Sequence, residues 1–152
     1  MAYDLDLTDN SASLAWDGRN KQVVLTKEVD FSVAANQLAN TKNMCLFNIP
    51  EGVLIDEVLA IVKTADADIS DIDIGIFTAS TQAVISVDGF VDGADISTTG
   101  IKRDLAGETY SKTNGTAGYY CTVDTDIVVT NNDAQTINGA VVVFVALCTD
   151  LR

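Results

Sequence analysis

The strongest constraint on this chain is a two-residue rhythm of apolar side chains. From Lys21 onward Val23, Leu25, Val29, Phe31 and Val33 fall on one face, while Gln22, Thr26, Glu28, Asp30 and Ser32 fall mostly on the other. Successive side chains of a strand point to opposite faces, so this spacing predicts a half-buried strand. Cys45, Phe47 and Ile49 repeat the rhythm and stop at Pro50, the only proline, followed by the turn pair Glu51-Gly52. Ile72, Ile74 and Ile76 alternate with Asp71, Asp73 and Gly75, apolar in and acid out. Val84 to Val87 reads as a shorter strand, and Thr122 to Thr130 carries Ile127 and Val129 on one face. Val53 to Lys63 is ambiguous, because Leu54, Val58 and Ile61 also fit a helical period. Its β-branched residues and the punctuation before it favour a strand. Ile137 to Leu147 is apolar at both parities, which predicts a central strand covered on each side.

Asn114-Gly115, Asn131-Asn132-Asp133 and Gly139 supply turn chemistry between these runs. Seven or eight short strands with no long helix predict an all-β fold: a single antiparallel β-sandwich of jelly-roll or related Greek-key type. A helical turn within Ser32 to Asn40 is compatible with it. The length of 152 residues suits one domain. Residues 21–152 are expected to form the sandwich, and residues 1–20 an irregular polar arm whose one large anchor is Trp16.

Charge narrows the function. Twenty-two acidic residues face nine basic ones, a formal net charge of −13. A general nucleic-acid binder needs a cationic face to displace counterions from phosphates, so no nucleic-acid partner is expected. An anionic membrane surface is disfavoured for the same reason. The longest apolar run, Ala140 to Cys148, is far short of a bilayer span, and the acidic start MAYDLDLTDN has no basic-then-apolar leader pattern. There is no histidine, which removes the commonest general base and any imidazole metal ligand. Cys45, Cys121 and Cys148 are too few and too far apart for a disulfide framework, and no CxxC occurs. Cys45 and Cys148 sit in apolar runs, where free cysteine packs as a small hydrophobe. No cofactor is implied.

Seven aspartates and no basic residue lie between Lys63 and Lys102. Clustered carboxylates suggest a hard cation, and Asp88, Asp92 and Asp95 in VDGFVDGAD are the calcium candidates. Aligning Asp88-Gly89 with the aspartate–glycine step of a helix–loop–helix calcium site leaves Val84 and Ser86 at the leading ligand places. A standard loop of that type is therefore out, and a solvated acidic loop with glycine turns is the simpler reading. Carboxylate pairs for glycoside chemistry can be chosen almost at will from so many acids, so none is singled out. The scattered aromatics Phe90, Tyr110, Tyr119 and Tyr120 suit a sugar platform or, more simply, core anchoring. Lys102-Arg103, the only adjacent basic pair, is expected to balance the acid-rich loops locally.

Three stretches in order carry a family resemblance. They are FNIPEGV (Phe47 to Val53) running into VLIDEVLAIVKTADA, then DIDIGI (Asp71 to Ile76) with DGFVDGADISTTG (Asp88 to Gly100), then TDIVVT (Thr125 to Thr130) with INGAVVVFV (Ile137 to Val145). Their order resembles the small β-sandwich virion structural proteins of tailed bacteriophages, among them capsid decoration or cement proteins. The resemblance implies a non-enzymatic protein of the virion, made in the host cytoplasm. It also implies a major capsid protein as partner, and a homo-oligomer, often a trimer. On that reading Trp16 and its arm are an interface candidate toward a neighbouring subunit or the capsid. A tail, baseplate or head-fibre component, a calcium-dependent carbohydrate-binding sandwich, and an enzyme using Asp/Glu chemistry are the competing functions.

Overall fold

The computed structural model describes residues 5–6, 21–68, 71–103, 110 and 118–152. Ten strands follow one another: β1 (Leu5–Asp6), β2 (Lys21–Asp30), β3 (Asn43–Ile49), β4 (Val53–Thr64), β5 (Asp71–Thr78), β6 (Val84–Asp95), β7 (Gly100–Lys102), β8 (Tyr119–Tyr120), β9 (Thr125–Asn131) and β10 (Val141–Asp150). They form two sheets. Sheet A has the order β1-β3-β9-β5-β6, and sheet B the order β2-β10-β4-β7, with β8 also on β4. Pairing is antiparallel except where β1 lies parallel to β3. From β2 to β5 the chain changes sheet with every strand, so hydrogen-bonded neighbours come from distant sequence. This is the all-β sandwich that the rhythm predicts. The ambiguous Val53–Thr64 run is a strand, and the helical turn reduces to one 3-10 turn at Ala34–Asn36.

The core lies between the sheets. Sheet A contributes Met44, Leu46, Ile72, Ile74, Ile76 and Ile127, all fully buried. Sheet B answers with Val29, Ile55, Val58, Val142, Phe144 and Ala146, each at most 1% exposed. All belong to one continuous cluster. Cys45, Cys121 and Cys148 are buried free thiols, as their apolar neighbourhoods require. Burial pushes the Cys121 thiol up to about 11 and that of Cys148 up to about 12, so neither carries thiolate character at neutral pH.

Several local expectations need correction. The segment read as an acidic loop is the second half of β6, a strand of 12 residues. Of three register shifts against β5, the one between Ile74 and Ile76 accommodates four residues of β6, Val87 to Phe90, between the pairs Ile76–Ser86 and Ile74–Val91. Bulged strands pair while bending, which a simple alternation count misses. In β3 a shift between Cys45 and Phe47 breaks the alternation, so Phe47 and Ile49 join the core while Cys45 is buried outside that cluster. Val33 lies beyond the end of β2 and is exposed. β10 is central in its sheet, but its burial alternates strictly and its second face is only half covered.

Candidate functional site

The two outer faces of the sandwich differ, and the difference originates in a few residues. On sheet A, Asp73, Gly75 and Phe77 point outward from β5, opposite Thr130, Val128 and Asp126 of β9. A Cβ on Gly75 would lie only 2.1 Å from the carbonyl oxygen of Ser86 and 2.3 Å from that of Val87. The β6 bulge therefore lies against Gly75, a close approach that needs glycine. Val128, Phe77, Asp126 and Asp73 are all buried beneath this face. The outer side of sheet A is thus closed over at its centre.

The acidic residues collect around this closed face. Asp73 is 5% exposed and accepts a hydrogen bond from the Gly93 amide at 2.8 Å. Burial, together with Asp92, Asp88 and Asp71 nearby, raises its carboxyl above the ordinary value against the pull of that hydrogen bond. Asp71 is raised too, by desolvation first and then by Asp133 and Asp95. Asp95 is lowered instead, chiefly by its bonds to Ser97, whose amide donates at 2.7 Å. Asp88 accepts from the Ser86 hydroxyl at 3.1 Å. The calcium candidates Asp88, Asp92 and Asp95 are thus strung along β6, with two of them engaged by local serines. Among the described residues no group of three or more His, Cys, Asp or Glu is gathered closely enough to hold a metal ion.

Asp66, one of the seven aspartates between Lys63 and Lys102, has a structural place. It is 2% exposed, and its Oδ2 accepts from the amides of Asn138 and Gly139 at 3.0 Å and of Ala140 at 3.3 Å. Its Oδ1 accepts from the Asp68 amide at 3.1 Å. The aromatics also turn inward. Phe90 and Tyr110 have ring centroids 5.8 Å apart, and Tyr110 meets Tyr119 edge-on at 5.0 Å. Phe90 belongs to the core, and Tyr110 and Tyr119 pack against it, an anchoring cluster instead of an exposed sugar platform. Only Tyr120 of this set is half exposed. Lys102 donates to the Thr98 hydroxyl at 2.5 Å, and Arg103 pairs at 3.7 Å with Glu57 on β4, away from the acid-rich segment. Trp16 and the Asn114-Gly115 turn lie outside the described residues.

Sheet B presents the opposite surface. Along β10, Val141, Val143, Val145 and Leu147 point outward and stay partly exposed. Register places Val24 of β2 beside Leu147, and Leu59 and Ile61 of β4 beside Val145 and Val143. Ile101 of β7 continues the row from Ile61, and Tyr120 of β8 from Leu54. The rims are the most open, with Val24 53%, Ile101 61% and Tyr120 50% exposed. Two ion pairs cross the same face: Lys63 Nζ meets Glu28 at 2.7 Å over β10, and Arg103 meets Glu57. A recess lined by Gln22, Val23, Val24, Asp56, Leu147 and Cys148 marks one end. The sequence carried the signal for this face in the two-sided apolarity of Val141 to Leu147, which was read there as full burial. An apolar face this continuous is a candidate interaction surface.

No helix of the described residues is long and apolar enough to cross a membrane. No family model and no curated protein matches the chain. Solved structures do match its fold. A chain of the structure described as the capsid of Ralstonia phage GP4 superposes with a TM-score of 0.64 at 14% identity, over 88% of this chain and 87% of that one. A chain of the acidic stable capsid structure of Helicobacter pylori bacteriophage KHP30 gives 0.58 at 13% identity, over 89% and 92%. One from the cyanophage Pam1 capsid asymmetric unit gives 0.56 at 13% identity, over 87% and 86%. Over nearly nine-tenths of its length, the chain therefore shares its fold with chains of three bacteriophage capsid structures.

Proposed function

We propose that this protein is a virion structural protein of a tailed bacteriophage, a capsid decoration or cement protein that binds the assembled head and stabilises it. The observation that carries the reading is the extent of the likeness. It spans nearly nine-tenths of this chain and about as much of each capsid chain, so it concerns the whole domain and not a shared motif. A fold alone does not specify a function, and the surfaces of this chain supply the rest. The acids gather on the closed side of the sandwich and an apolar face occupies the other, a polarity suited to a shell component with one side in solvent. The function is non-enzymatic. Its partner is the major capsid protein, and its copies assemble as a homo-oligomer. The 1–20 arm, carrying Trp16, reaches the capsid or a neighbouring subunit.

Preformed shells of the phage's own major capsid protein test this. The full chain is expected to co-sediment with them and to raise their thermal disruption temperature, and removing residues 2–17 is expected to reduce occupancy. No co-sedimentation of the full chain would overturn the decoration reading. Undiminished occupancy after the deletion would remove the role of the arm.

A further inference from the structure

We infer that the outer face of sheet B is the interface through which copies of this chain assemble, each apolar face packing against that of a second copy. The inference rests on the homo-oligomer proposed above and deepens it: one patch packed on the same patch of a second copy closes as a two-fold pair. Three observations support a second copy as the occupant.

The first is electrostatic. Two copies each carrying −13 repel one another unless they meet through a surface that adds little charge. On this face Glu28 is neutralised by Lys63 and Glu57 by Arg103 within the same chain. Two further acids of the face keep their charge: Asp56, which accepts a hydrogen bond from the Thr149 hydroxyl at 2.7 Å, and Asp30 opposite Val141, which accepts from the Ser32 amide at 2.9 Å. The aspartates of β5 and β6 lie on the other sheet, remote from the contact. Pairing face to face therefore turns the charged sides of both molecules away from each other.

The second is area. Four neighbouring strands at about 4.8 Å spacing and a ten-residue central strand at about 3.3 Å per residue cover roughly 600 Å². Two such faces give about 1,200 Å², the lower end of specific protein interfaces. Val143, Val145 and Leu147 form the centre, where desolvation contributes most, and the recess beside Val24 accepts an anchoring side chain.

The third concerns the edge of the sheet. β2 is the terminal strand, but Lys27 pairs with Phe144 and so stands on the core-facing side. An inward-pointing lysine on an edge strand opposes continuation of the sheet into another chain. Assembly by extending sheet B at β2 is thereby disfavoured relative to packing through its face.

The mass of the full chain in solution, by light scattering or sedimentation over a concentration series, reads the outcome. Wild type is expected as a dimer. Val145→Lys is expected to weaken assembly about tenfold or more and shift the mass to one chain, with the far-ultraviolet spectrum unchanged. Ile101→Lys, at a rim position on a three-residue strand, serves where Val145→Lys disturbs folding. Either folded variant becoming monomeric supports the interface. A wild type that stays monomeric at high concentration overturns it, as does an oligomer indifferent to both substitutions. A monomer that still decorates shells would leave the decoration reading intact, whereas an oligomer that never binds shells would sink only that reading.

Discussion

Asp66 joins the end of β4 to the turn before β10 with a single carboxylate. Four amides donate to its two oxygens, three of them consecutive in Asn138–Ala140. Backbone N–H groups removed from water need acceptors, and loss of one leaves a desolvation penalty of about 1–3 kcal/mol for each orphaned donor that water cannot reach. Asp66→Ala is expected to lower the unfolding free energy by about 2–4 kcal/mol in urea titration, without a change in m. Asp66→Asn keeps an acceptor oxygen and is expected to cost less. An alanine variant as stable as wild type would show that the amides find water instead. Nothing in the sequence separates Asp66 from the other six aspartates of the acid run, because three of its four partners lie more than seventy residues away.

The two faces of β10 make opposite demands. Val142, Phe144, Ala146 and Cys148 are buried in the core, while Val141, Val143, Val145 and Leu147 remain partly open. Phe144→Ala opens a cavity in a closely packed interior and is expected to cost about 3–5 kcal/mol. Val145→Thr on the other face keeps shape and β-branching, and is expected to change chain stability by about 1 kcal/mol or less. Chemical denaturation of both variants at a concentration where the chain is monomeric checks the contrast. Equal losses would mean that both faces are buried within one chain. The run from Ile137 to Leu147 is apolar throughout in the sequence, so a strand at the centre of a sheet was legible. Which face meets its own core and which is left open depends on β2 and β4 pairing to either side.

Across the molecule, acid acts in two directions. Asp71 and Asp73 have carboxyls raised above 3.8, so the folded state takes up their protons before the unfolded chain does. Stability therefore increases as pH falls through their folded values, and this gain is complete once the pH is below 3.8. Relief of self-repulsion in a chain of net charge −13 acts the same way. Asp150 is held at about 2, first by its side-chain bond to Arg152, and Asp30 and Asp95 are also lowered. Their contribution is present above 3.8 and lost as pH falls toward 2. The thermal midpoint is expected to rise from pH 7 to about 4 and to fall below 3.8. A midpoint that declines steadily from pH 7 downward would contradict it.

The sequence by itself determined the longer strands, the two-layer sandwich and the burial of Cys45 and Cys148, because a two-residue alternation is a local property of the chain. It also placed the acids between Lys63 and Lys102 and excluded histidine chemistry outright. The tertiary structure decided what those residues do. It laid the β6 bulge against Gly75, buried Asp73 instead of exposing it, and drew Phe90, Tyr110 and Tyr119 into one inward cluster. It moved Cys45 out of step with Phe47 through a bulge, and it opened the second face of β10 that continuous apolarity suggested was covered. Each of these outcomes depends on strands brought together from distant sequence, where register and bulges assign a side chain to core, cover or surface. Periodicity fixes that a residue has two choices of face; only the packed sheets select between them.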